Sequence, residues 1–142
     1  MTVSVDRESL LARGDELWSK LSDALDASID APLGPSTDWT GHDVYAHFAR
    51  WCAHAAAETR RILAGEPLQP VEGDENEINE RWRVEDRAIS AATLRARCAT
   101  AREDLKTAVM GLSVDQWKAF GGDCAQDVTA SHIGPHLEMI GR

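Results

Sequence analysis

The spacing of apolar residues is the feature that most limits the folds available to this chain, because the spacing follows a helical period along much of the sequence. In the first part of the chain, apolar residues are mostly three or four positions apart, which places them on one face of a helix. They are Leu10, Leu11, Leu17, Trp18, Leu21 and Leu25. This stripe predicts a first helix from Val5 to about Ser28. No stretch shows sustained alternation of apolar and polar residues, and no Asn-Gly or Asp-Gly pair marks a hairpin. The sequence therefore predicts an all-α protein.

The second predicted helix has clear boundaries. Thr40 is a favourable N-cap, and Asp43 three residues later completes a pair that resembles a capping box. Gly65 is a natural C-terminal stop for this helix. The segments on either side, 30–38 and 66–73, contain both proline and glycine and are predicted to be loops.

The remaining helical patterns complete the predicted architecture. A long pattern covers residues 74–111, and Ser90 is a candidate cap for a restart, so this region is one bent helix or two consecutive helices. Residues 113–120 are predicted to form a helical turn at best, which the glycine pair at 121–122 ends. A last helix is predicted over residues 129–140. Four main helices with connections of moderate length indicate a four-helix bundle.

Length and charge restrict the class of protein. We expect one domain over residues 1–142. Lys plus Arg number 15 against 24 Asp plus Glu, a formal net charge of -9, which disfavours binding to nucleic acid or to anionic membranes. No apolar run approaches the roughly 20 residues that span a bilayer. Residues 1–10 lack a secretory signal pattern, so we expect a cytoplasmic protein.

The five histidines are the candidate functional residues. His132 and His136 lie four positions apart on the last helix, so their imidazoles share one face and are spaced to clamp a metal ion. The second helix supplies the third candidate ligand, His47 or His54. These two lie about 10.5 Å apart along the helix axis, too far for one ion to bind both. His42, in the first turn of that helix, is expected to be a surface residue.

Several segments resemble one family when they are taken together and in order. Residues 39–47, Trp-Thr-Gly-His-Asp-Val-Tyr-Ala-His, resemble the signature that opens the second helix of DinB-like proteins. The resemblance continues through Gly-Glu-Pro at 65–67, Glu-Ile-Asn-Glu at 77–80 and the terminal His-x-x-x-His at 132–136. The chain is similar to the DinB-like and YfiT-like superfamily, which includes the N-terminal domain of mycothiol-dependent maleylpyruvate isomerase.

The resemblance implies a four-helix bundle that holds a divalent metal, zinc or nickel, on His47, His132 and His136. It further implies a small-molecule substrate, a low-molecular-weight thiol, and an S-transferase or isomerase reaction on a small electrophile. Homodimerisation is implied by the same similarity. The sequence identifies no general acid or base, so three alternatives stay open: a non-catalytic metal- or ligand-binding bundle, a metal-free hydrolase-like relative, and a structural protein.

The candidate substrate-binding residues are Trp51, Asn79 and Trp82. Trp39, Trp51 and Trp82 can line a pocket above the metal. Tryptophans at helical spacing also pack into ordinary cores. Asn79 matches the family position at the start of the third helix. Its alternative role is structural, as a cap or a partner of the backbone.

Three further residues carry open questions. Asp43 and Glu58 are candidates for orienting the ligand histidines, with a helix cap and a solvated charge as their respective alternatives. Pro135 lies between His132 and His136. If the last helix begins at Thr129 or earlier, the proline is expected to kink it and separate the two imidazoles, whereas an N-cap at Ser131 would make the cost small.

Overall fold

The computed structural model describes residues 3–140, with side chains from residue 6 onward. Its elements in chain order are α1 (Val3–Ala27), β1 (Pro32–Gly34), β2 (Thr37–Thr40), α2 (Gly41–Ala64), α3 (Glu75–Asp86), α4 (Ala91–Met110), α5 (Val114–Ala125), a 3-10 turn (Gln126–Val128) and α6 (Ala130–Met139). The predicted all-α class is confirmed. No helix of the described range is both long and apolar enough to cross a membrane.

The bundle is built around α2 and α4, which pack against each other more extensively than any other pair of elements. The first helix, α1, packs on α6 and α2, and α5 packs on α4 and α2. The four members of the bundle are therefore α1, α2, α4 and the C-terminal segment that contains α5 and α6. Its core includes the fully buried side chains Leu21, Leu25, Phe48, Leu94, Leu105 and Ile133. Leu10 of the predicted stripe is 47% exposed and lies outside this core.

Side-chain caps fix the helix boundaries where the sequence predicted them. Thr40 and Asp43 form a complete capping box at the start of α2, and Gly65 ends that helix with a left-handed φ of 72°. Ser90 accepts a hydrogen bond from the Thr93 backbone amide at the start of α4. The pattern over residues 74–111 is therefore two helices, separated by a short turn after α3.

The segment 30–38 is more ordered than the loop predicted for it. It contains most of an antiparallel hairpin in which Pro32 pairs with Thr40 and Gly34 with Thr37. Leu33 is buried in the core and anchors the first strand. The prediction failed because strands of three and four residues are too short to show the alternation that marks a strand in sequence.

The helical turn predicted at 113–120 is a full helix, α5, and the glycine pair at 121–122 does not end it. A capping box of Ser113 and Gln116 starts the helix. Gly121 continues it because the Trp117 ring occupies the place of a side chain at that position: a Cβ there would lie 2.2 Å from the ring. Gly121 thus makes room for the Trp117 ring of the preceding turn, which packs against the core, and the helix continues despite the low helix propensity of glycine.

A close backbone contact fixes α1 against the segment that leads into α6. Gly14 lies in the middle of α1, and a Cβ at this position would lie 1.9 Å from the carbonyl oxygen of Val128 and 3.1 Å from the Cα of Thr129. Both of these atoms belong to the backbone. Only glycine permits this approach, and the approach sets the position at which α6 begins.

We expect Gly14→Ala to destabilise the protein by about 1–3 kcal/mol, because the added methyl group must push α1 away from the start of α6. Gly122→Ala is the matched control, since no heavy atom lies within 4 Å of a Cβ there. That variant is expected to be neutral or to gain up to about 1 kcal/mol of helix propensity. Urea unfolding measures both, and equal effects of the two substitutions would contradict the close contact.

Candidate metal site

Three histidines from two helices converge at one end of the bundle core. His47 lies on α2, and His132 and His136 lie one turn apart on α6. The Nε2 atom of His132 is 2.9 Å from the Nε2 atom of His47 and 3.1 Å from that of His136. Within the described residues, these three form a group whose ligand atoms all lie within 4.8 Å of one another. We call His47, His132 and His136 the histidine cluster.

Pro135 does not separate the two histidines of α6. Thr129 is the N-cap, so Pro135 is the sixth residue of the helix and lies inside it. The carbonyl that loses its helical partner belongs to the exposed Ser131, so water can hydrogen-bond to it. Ile133, the next residue, lies about 100° around the helix from His132 and is fully buried, which helps to fix the rotation of α6. The two imidazoles therefore share one face, as their spacing predicted.

Asp127 orients His132, and sequence reasoning missed it. The His132 Nδ1–H group donates a hydrogen bond to the Asp127 Oδ1 atom at 2.6 Å, and Asp127 is 4% exposed. This bond places the proton on Nδ1 and leaves a lone pair on Nε2, which points into the cluster. The arrangement is typical of histidines that bind metals. The sequence offered one signal for this role of Asp127, a carboxylate shortly before a candidate ligand histidine.

The two carboxylates proposed from the sequence have other partners. Asp43 accepts a hydrogen bond from the Thr40 backbone amide at 3.0 Å and pairs with Arg83 at 3.2 Å, so its alternative role as a cap is correct. Glu58 is half-buried rather than solvated. It accepts a hydrogen bond from the Gln69 backbone amide and forms an ion pair with Arg61, which holds the segment after α2 in place.

Burial keeps two of the imidazoles neutral at physiological pH. His47 is 8% exposed, and burial lowers its pKa well below the usual range, with a further decrease from repulsion by His132 and His136. Burial also lowers the pKa of His136 to about 4, and His132 adds to the decrease. Neutral imidazole is the form that binds a metal ion.

The donor set fits a divalent cation. Two nitrogens bound to one tetrahedral zinc at roughly 2.0–2.1 Å lie about 3.3–3.4 Å apart, close to the separations within the cluster. A hydrogen-bonded alternative is poorer, because His132 Nε2 has one lone pair and faces two other ring nitrogens. The Nδ1 atom of His47 is buried without a hydrogen-bond partner among the described residues. The ring is therefore not held in place by a bond at that atom.

The two remaining histidines lie outside the cluster. His42, expected at the surface, is half-buried, and its Nε2 atom lies 2.6 Å from the Ile89 carbonyl oxygen, so it joins the start of α2 to the turn before α4. His54 packs beside Trp51, with ring centroids 6.0 Å apart. Of the two alternatives on α2, the structure brings His47 to the α6 pair and leaves His54 away from it.

A cavity of about 240 Å³ opens onto the cluster, and we call it the triad cavity. Asn79 lines it, while the Asn79 Oδ1 atom also accepts a hydrogen bond from the Trp51 Nε1–H group at 2.7 Å. Trp51 lines a neighbouring cavity, and Trp82 packs on Trp51 at 4.8 Å without lining the triad cavity. Trp39 lines the triad cavity and contacts the His47 ring edge-on at 5.6 Å.

A four-helix bundle with this cluster between its second and last helices defines a protein of the DinB/YfiT-like helical superfamily. The family model of the mycothiol maleylpyruvate isomerase N-terminal domain matches residues 10–134, and the chain belongs to that family. The matched range contains His47 and His132 and ends two residues before His136. No curated protein and no solved structure matches the chain.

The metal-free protein is expected to lose stability as the pH falls from 6.5, the ordinary histidine value, towards 4. In this range the unfolded chain binds a proton at His136 and the folded protein does not. The free energy of unfolding therefore rises with pH and levels off above 6.5. Urea unfolding at several pH values, with chelator present, measures this slope.

The variant His136→Gln isolates the contribution of this histidine, because the other titrating groups are common to both proteins. Its slope between pH 4 and 6.5 is expected to be smaller than that of the parent protein. Identical slopes would contradict the assignment of a low pKa to His136.

Proposed function

We propose that this chain is a divalent-metal-dependent enzyme, with zinc or nickel as the metal, that catalyses a thiol-dependent S-transfer or isomerisation on a small electrophile. The observation that carries the proposal is the convergence of three imidazole Nε2 atoms, one of them fixed by Asp127. The family supports the thiol, because its name refers to mycothiol and to an isomerase of maleylpyruvate.

The histidine cluster and the triad cavity have separate roles in this chemistry. His47, His132 and His136 would hold the ion, and their neutral rings leave its positive charge uncompensated. A bound divalent cation supplies a Lewis acid that favours the deprotonated form of water or a thiol near neutral pH. The triad cavity, lined by Trp39 and His47, provides room for a small molecule beside the cluster.

Few groups beside the histidine cluster can accept or donate a proton during the reaction. Glu75 is the only carboxylate among the residues that line the triad cavity. Asp127 is already engaged with His132. A non-catalytic metal- or ligand-binding protein is therefore the second candidate, and turnover separates it from the enzyme. Homodimerisation, a cytoplasmic location and a single domain stay predictions.

Tag-free protein purified without chelator is expected to contain about one zinc, nickel or similar ion per chain, measured by mass spectrometry. The variants His47→Ala and His136→Ala are expected to lose the ion, because each removes one of three ligands. His54→Ala on α2 is the matched control and keeps it. Absence of metal in the parent protein, even after incubation with zinc and nickel, would refute the metal site.

The metal-loaded protein is then screened for turnover with a low-molecular-weight thiol and small electrophiles. Turnover that disappears in His47→Ala and persists in Glu77→Gln, which lies outside the cavities beside the cluster, is expected for the enzyme. A stoichiometric ion without turnover would favour the non-catalytic binding protein instead.

Asp127→Asn is expected to weaken metal affinity by about 10- to 100-fold, because the amide no longer fixes the Nδ1–H tautomer of His132 with a charged acceptor. Competition with a chromophoric chelator measures the affinity. Asp123→Asn makes the same change in net charge at an exposed neighbouring position and serves as the control. Equal affinities for the two variants would show that Asp127 does not act through His132.

A further inference from the structure

The triad cavity is one end of a longer cleft. A middle cavity of about 340 Å³ shares Glu75 and His132 with it, and an outer cavity of about 270 Å³ shares Trp51 and Asp127 with the middle one. We call these three cavities together the cleft. It extends from the histidine cluster along the segment between α2 and α3 to α5. The shared lining residues place the three cavities side by side, so a ligand larger than the triad cavity can contact more than one of them.

The charges that line the cleft have one sign. Carboxylates of Glu58, Glu75, Asp123 and Asp127 line it, and no lysine or arginine is among the lining residues of its three cavities. Arginines do line the separate groove between α2 and α4, where Arg50, Arg60 and Arg97 lie. The cleft is therefore acidic because of where the arginines lie as well as because of the overall composition.

Two of the four carboxylates have no compensating partner. Glu58 is paired with Arg61, and Asp127 accepts a hydrogen bond from His132. Glu75 and Asp123 are exposed, and neither forms an ion pair with another side chain in the described part of the chain. Glu75 lies between the triad and middle cavities, and Asp123 lies in the outer cavity. A negatively charged ligand would be repelled along the whole cleft.

The outer cavity offers apolar surface to a ligand. Its lining includes Ile62, Leu68, Pro70 and Phe120. Leu68 is 47% exposed and Phe120 40% exposed, so both present apolar area that a ligand can cover. Covering such area removes apolar surface from water, which favours binding.

We propose that the substrate has an apolar body in the outer cavity and is uncharged or cationic beyond the group that reaches the histidine cluster. This rests on the proposed function for the location of the reacting group. Small dicarboxylates are disfavoured, because a bound cation can attract one carboxylate at the cluster while the other meets Glu75. The substrate class is therefore a neutral or amine-bearing electrophile, or such an adduct of a thiol.

Metal-free protein at pH 7 tests the charge preference with three probes that share one skeleton: phenylbutylamine, phenylbutanol and phenylbutyrate. Calorimetric titration is expected to give a Kd for the protonated amine about tenfold lower than for the carboxylate, with the alcohol between them. Glu75→Gln is expected to narrow this ratio. Glu77→Gln removes the same charge from the first turn of the same helix, outside the cleft, and is expected to leave the ratio unchanged.

Each outcome tests the charge preference of the cleft independently of whether the protein binds a metal. If the carboxylate binds as tightly as the amine, or if no probe binds saturably up to its solubility, the proposal is overturned whatever the metal content. Equal changes in Glu75→Gln and Glu77→Gln would overturn the role of the cleft. If the selectivity is found in a protein that takes up no metal, the acidic cleft stands and the metalloenzyme proposal fails.

Discussion

The contact between Phe48 and the three histidine rings links the core of this bundle to its candidate site. Phe48 is fully buried, and its ring stacks on His132 with centroids 4.5 Å apart. It also contacts His47 at 5.6 Å and His136 at 5.1 Å. The apolar ring covers one side of the cluster and adds to the burial that lowers the pKa values of His47 and His136. The hydrophobic packing that stabilises the fold therefore also prepares the ligand nitrogens.

Local side-chain chemistry made much of the fold predictable, and the failures lie where packing outweighs it. The caps at Thr40 and Ser90 act within four residues, so the sequence alone places the starts of α2 and α4. The prediction from the glycine pair in α5 was wrong because Gly121 makes room for the Trp117 ring, which packs against the core. That contact offsets the missing side chain. The hairpin before α2 depends on the burial of Leu33, which no local pattern reveals.

The same distinction between local sequence pattern and packing applies to the candidate site. The spacing of His132 and His136 is a helical property and could be read directly, whereas the choice of His47 over His54 needed the family resemblance. Asp127 could not be predicted from helical spacing because it lies in the 3-10 turn before α6, five residues from His132. The change of direction between that turn and α6 brings the carboxylate back to the imidazole.

The distribution of charge connects the cluster to the cleft. Three neutral ligands give no negative charge to an ion, so any compensation must come from further away. For an ion held by the cluster, Asp127 would supply it through His132, and Glu75 is the carboxylate that lines the triad cavity. Such carboxylates would stabilise the cation without occupying its coordination positions. The same carboxylates repel anions that approach along the cleft. Under the two proposals, retention of a cation and rejection of anionic ligands are two effects of one electrostatic arrangement.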